Sequence, residues 1–105
     1  MFIIGEVKEI NENGMLINSK EHFDADGYDY VPFREGGIII NYGNNLTKMA
    51  KATCCDMRTF MAEFKPTDYV RLKIQIKKII KKTDTPFGKT ERKEMKLVMY
   101  SISKI

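Results

Sequence analysis

Cysteine is nearly absent from this chain, and where it occurs it cannot staple a fold. Cys54 and Cys55 are the only two and are adjacent, and a bridge between neighbours closes a strained ring instead of joining distant segments. Histidine is scarcer still, with His22 the sole imidazole. A zinc site would need Cys54, Cys55, His22 and a carboxylate, without the Cys-x2-Cys spacing that lets two thiolates wrap one ion. The expectation is that the chain uses no metal and no other cofactor, and that the thiols are reduced and buried. Long apolar runs are also missing. The longest, Gly36 to Ile40, is strand-sized, far short of the ~20 residues that span a bilayer. Met1 to Glu6 carries no basic segment of the secretory kind, so a cytoplasmic protein is expected.

Catalytic signatures are lacking as well. A cysteine nucleophile would need a base, and His22 sits in a polar stretch beside Glu21 and Phe23 with no sequence signal pairing it to either thiol. Gly88-Lys89-Thr90 ends like a phosphate loop, but Thr83 stands where the first glycine is required and a strand pattern follows. Asp24 to Asp29 has the acids of a calcium loop, yet its glycine falls too early and no closing glutamate follows. Neither Glu6 with Glu9 nor Asp24 with Asp26 shows a dry pocket that would separate two carboxyl pKa values. A non-enzymatic protein is expected.

What is present is charge, unevenly placed. The 105 residues make one domain, and a 43% hydrophobic, 30% charged composition favours a folded chain over a disordered one. The formal net charge is +4, but residues 1–36 carry three bases against eight acids while residues 37–105 carry fifteen against six. Residues 65–96 alone hold eleven bases and four acids. Such asymmetry points to an anionic partner for the second half, the bland alternative being a lysine-rich solvated strand edge.

The pattern of apolar residues gives an order of elements. Phe2 to Ile10 alternates as a strand, Asn11-Glu12-Asn13-Gly14 supplies a tight turn, and Met15 to Asn18 returns. Residues 19–36 read as a polar, acidic loop with a short strand over 28–33. Gly37 to Tyr42 reads as a buried strand from its isoleucines. Residues 46–64 carry helical spacing, although Thr53 resembles a cap and leaves 46–53 open to an extended reading, with one helix over about 54–64. From Tyr69 to Lys77 the chain alternates, with Val70, Leu72, Ile74 and Ile76 inward and Arg71, Lys73, Gln75 and Lys77 outward. Lys77-Lys78 breaks the parity and predicts a bulge or strand end, Lys81 to Glu91 a hairpin loop, and Lys93 to Ile105 a last strand covered on both faces. Five strands with one short helix between the third and fourth form the layout of a mainly β, five-stranded OB-like Greek-key barrel; an open α+β sheet has the same order.

One partner uses what the second half offers. A nucleic-acid backbone rewards rows of bases, and single strands also reward exposed aromatics on which bases stack. Arg71, Lys73 and Lys77 line one strand face; Lys78, Lys81, Lys82, Lys89, Arg92 and Lys93 cluster in the hairpin; Tyr42, Phe87 and Tyr100 lie on or beside these elements. These twelve are the candidate contacts, with Phe87, between a proline and a glycine, the foremost stacking residue. Tyr69 and Tyr100 read equally well as core residues.

The stretch Phe64-Lys65-Pro66-Thr67-Asp68-Tyr69-Val70 after a helix, followed by a basic hairpin with Phe87-Gly88-Lys89 and a closing strand, resembles the single-stranded-DNA-binding proteins of the OB-fold class. Lys65, Asp68 and Val70 match that family's Lys-x-Gly-Asp-x-Val step, while its glycine and its acidic tail are absent. The resemblance covers about the last fifty residues. It implies a role in DNA replication, with Lys77, Lys78, Lys81, Lys82, Lys89 and Arg92 tracking the DNA backbone. The lysine, isoleucine and asparagine bias suits an AT-rich phage or plasmid genome. The competing expectation is a protein-interaction or assembly module, or a homo-oligomer, using the acidic 19–36 loop or the Ile38–Ile40 strand edge.

Overall fold

The computed structural model describes residues 1–52 and 56–105; the readings made for Thr53, Cys54 and Cys55 lie outside the described residues. The first hairpin forms where it is expected, with a register shift between Val7 and Glu9. In β1 (Phe2–Ile10) the side chains of Ile3 and Val7 are buried while Phe2 and Ile4 face outward. The Asn11 carboxamide accepts from the amides of Asn13 and Gly14 at 2.8 and 3.0 Å, fixing the turn into β2 (Gly14–Asn18). Gly14 is needed there because a Cβ would lie 2.2 Å from the Ile40 carbonyl oxygen of the neighbouring strand.

That neighbour is β4 (Gly37–Asn41), which runs antiparallel to β2 and turns Ile38 and Ile40 inward. On its other side it carries the two-residue β3 (Phe33–Arg34), and the Ile39 amide donates to the Pro32 carbonyl at 2.8 Å. The Ile38–Ile40 edge expected to be free is therefore occupied. The strand expected over 28–33 is reduced to β3 and an isolated bridge at Tyr30.

Two helices, not one, cross between β4 and the next strand. α1 (Leu46–Ala52) makes 46–52 helical rather than extended. α2 (Met57–Ala62) starts separately because Asp56 adopts extended backbone and its carboxylate accepts from the Thr59 amide at 2.7 Å. That bond holds the Asp56 carboxyl below its ordinary pKa. Met49, Ala50, Phe60 and Phe64 face the core, and the rings of Phe60 and Phe64 meet edge to face at 5.3 Å.

The turn 65–68 feeds β5 (Tyr69–Thr85), which pairs antiparallel along its whole length with β6 (Gly88–Lys104). The ring β1–β2–β4–β6–β5–β1 closes a five-stranded OB-like barrel, with β4 and β6 parallel through the single pair Asn41 and Val98. Two contacts tighten this seam. The Asn45 carboxamide donates to the Met99 carbonyl at 3.1 Å. Gly43, at φ 59, lets the chain approach Val98, whose Cγ1 would sit 2.7 Å from an added Cβ. Inside lie Ile3, Val7, Met15, Ile17, Ile40, Leu72, Leu97 and Met99, all essentially removed from solvent. No helix among the described residues is long and apolar enough to cross a membrane.

Candidate nucleic-acid interface

β5 and β6 do not stop at the barrel. Their pairing continues without interruption from Ile76 and Leu97 to Thr85 and Gly88, nine steps that at ~3.3 Å each make a ribbon about 30 Å long. Residues 81–91 are thus strand around a short tip, not a loop. The expected irregularity at Lys77-Lys78 is also displaced. The register shifts between Lys73 and Ile74, which pair with Ser101 and Met99 and leave Tyr100 as the extra residue. The projecting ribbon gives the molecule extents of 51 × 28 × 21 Å and a radius of gyration of 15.5 Å, against about 13 Å for a compact chain of this length.

Alternation sorts the ribbon's bases onto two faces. Lys78, Lys82, Lys89 and Lys93 share the face that continues the barrel interior, whereas Lys77, Lys81, Arg92 and Lys96 share the face that continues its outer surface. On the barrel itself, Arg71 and Lys73 extend that outer row. Lys81 pairs with Glu94 at 3.4 Å. Lys77, Lys78, Lys82, Lys89, Arg92 and Lys93 have no carboxylate within ion-pairing distance among the described residues. Like charges also stand directly opposite one another, Lys77 across from Lys96 and Lys81 across from Arg92. Such pairs destabilise a ribbon, and for Lys81 the Glu94 carboxylate offsets part of that cost.

The aromatics divide. Phe87, with Pro86 in the two-residue tip between the strands, is completely exposed, and the Thr85 hydroxyl donates to the Gly88 carbonyl at 2.7 Å beneath it. Tyr100 is 39% and Tyr69 59% exposed, which places both on the surface; the Tyr100 hydroxyl donates to the Gln75 side-chain oxygen. Tyr42 is the correction. It continues the inward parity of Ile38 and Ile40, is 2% exposed, and presents no ring to a base. Its hydroxyl is buried without a partner among the described residues, and burial pushes its pKa up to about 12. Ile76, expected inward, is 42% exposed because the barrel core ends beneath it.

Sequence reasoning missed two parts of this surface. Phe2 and Ile4, both half-exposed, lie on the outer face of β1 beside Arg71, whose guanidinium stands 4.5 Å from the Phe2 ring centre. With Tyr69, Lys20, Glu6 and Glu21 they line a groove of about 460 Å³. The outward parity of Phe2 and Ile4 was the available signal. The second part is the segment around Tyr30, whose short strand over 28–33 is legible in the sequence but whose partner is not, because its pairing with β6 is non-local.

No family model, curated protein or solved structure matches this chain.

Proposed function

We propose that this protein binds single-stranded nucleic acid, DNA before RNA, without catalysis and with little sequence preference, along the β5–β6 ribbon. The observation that carries the reading is a two-stranded ribbon projecting beyond the core, with bases on both faces, most of them unpaired, and an unburied phenylalanine at its tip. Counterion release from such a surface rewards a flexible polyanion, and exposed rings reward unstacked bases. The OB-like barrel is compatible with this role and with others.

One further detail supports the resemblance to single-stranded-DNA-binding proteins. In the Lys65 to Val70 step, Thr67 occupies the place of that family's glycine and holds φ 81, a conformation that favours glycine. The Thr67 amide donates to the Val7 carbonyl and the Val7 amide to the Asp68 carbonyl, both at 2.8 Å, so the turn is fixed against β1.

The test is titration of a fluorescent oligothymidylate of about 30 nucleotides at about 50 and 200 mM salt, with duplex as competitor. The expected result is binding that weakens steeply with salt and resists duplex competition. Absence of binding at the lower salt overturns the proposal. A protein-contact reading is favoured by the groove around Phe2, Ile4 and Tyr69, where two acids balance two bases and apolar side chains are exposed together.

A further inference from the structure

The acidic segment 19–36, expected as a loop, is bound to the basic half through Asp29 and Tyr30. The amides of Asp29 and Tyr30 donate to the Lys93 carbonyl at 2.7 and 3.2 Å, and the Met95 amide donates to the Tyr30 carbonyl at 2.9 Å. The Asp29 carboxylate accepts from the Lys93 amide at 2.7 Å. These bonds set Tyr30 beside Glu94 in parallel register on the free edge of β6. Tyr30 therefore shares the ribbon's outer face with Lys77, Lys81, Arg92 and Lys96.

Three properties of that position bear on binding. The ring is 51% exposed although its backbone is pinned on both sides, so a flat aromatic surface is offered without ordering cost. The Arg92 guanidinium lies 5.4 Å from the ring centre and has no carboxylate partner among the described residues. The one acid on this face of the ribbon, Glu94, is engaged by Lys81. Tyr28 differs: it is half-buried against the core beneath Lys78 and helps to hold the segment in place.

We infer that Tyr30 is a nucleobase-stacking platform, with Arg92 beside it engaging the adjacent phosphate, so that a single strand on the ribbon follows its outer face. The inference rests on the proposed nucleic-acid function and adds to it a face and a stacking residue from outside the hairpin.

A two-way comparison tests it. Wild-type protein and Y30A are titrated with oligothymidylate and with the same oligomer carrying abasic sugars, at two salt concentrations, with melting curves as the folding control. Loss of one stacked base predicts that Y30A binds oligothymidylate about 5- to 150-fold more weakly. Its salt slope should be unchanged, because no charge is removed, and Y30F should retain affinity. Abasic substitution should weaken wild type more than it weakens Y30A, a coupling that a purely structural role for Tyr30 would not produce. Equal affinities of wild type and Y30A, or equal abasic penalties in both, overturn the platform while leaving the ribbon reading intact. Failure of wild type itself to bind at low salt defeats the ribbon reading instead. If Y30A melts early, Y30L keeps the bulk without the aromatic face and is judged by the same comparison.

Discussion

Replacing Lys77, Lys78, Lys81 and Lys82 together with alanine isolates the electrostatic part of the proposed function. Three of these lysines have no ion-pair partner among the described residues, and Lys81 is tied to Glu94 at 3.4 Å. Each phosphate neutralised on a single strand contributes about 0.7 to the slope of log affinity against log salt; of the four lysines Lys77 and Lys81 stand on the outer face, so two lost contacts make the variant's slope shallower by about 1.4. Over a fourfold rise in salt, the variant should lose about 7-fold less affinity than wild type, from a weaker starting value. Stability should hardly change. All four side chains are exposed, and two of them face bases directly across the ribbon, while an exposed ion pair such as Lys81–Glu94 contributes at most about 1 kcal/mol. The melting temperature should therefore move by no more than about 4–8 °C. The assay is fluorescence anisotropy at several salt concentrations beside a thermal melt. A folded variant with an unchanged salt slope would refute the reasoning, because the ribbon lysines would then be solvated bystanders.

Phe87→Ala should weaken binding about 5- to 150-fold with no change in melting temperature, since a wholly exposed ring contributes nothing to the core. Tyr42→Phe removes a buried hydroxyl that has no partner among the described residues and should stabilise the fold by about 1 kcal/mol, read as a melting point higher by about 4–8 °C. The same variant has a pH signature. With the folded-state pKa pushed up to about 12, the unfolded chain loses this proton first, so stability falls as pH rises from about 10 to 12, by up to about 1.4 kcal/mol per pH unit. Denaturant titrations should show that part of the decline missing in Tyr42→Phe. Thr67→Gly should stabilise the protein by about 0.5–1 kcal/mol in the same assay, because a β-branched residue at φ 81 is strained by more than glycine loses in chain entropy.

The barrel was readable in the sequence wherever a strand has one buried face. Val70, Leu72 and Ile74 alternate with bases because they lie over the core, and Phe2 to Val7 carries its parity with Asn11 and Gly14 marking the turn, whereas Met15, Leu16 and Ile17 are all buried. Beyond Ile76 no face of the ribbon is buried to the same degree, so nothing maintains a period of two, and continuous strand resembles loop. Tyr42 was placed on the surface by its proximity to bases, although Ile38, Ile40 and Tyr42 share one parity and that parity points inward. The two-helix crossing turns on a cap at Asp56 that competes on equal terms with Thr53 in the sequence. The bases of the ribbon could be found because charge density is local. Tyr30 could not, because its position depends on backbone bonds to residues more than sixty positions away.

The extra residue at Tyr100 has a consequence for how this molecule can vary over generations. Met95, Leu97 and Met99 on one side of it, and Ile102 on the other, all turn toward the interior, which an unbroken alternation would not permit. Were Tyr100 instead paired as an ordinary ladder residue, everything toward the tip would exchange faces and turn apolar side chains outward. At the tip, by contrast, two residues added to each strand would leave every existing cross-strand partner unchanged. The reach of the ribbon is therefore a quantity that insertions can adjust in even steps, with its phase against the barrel set by the interruption at Tyr100.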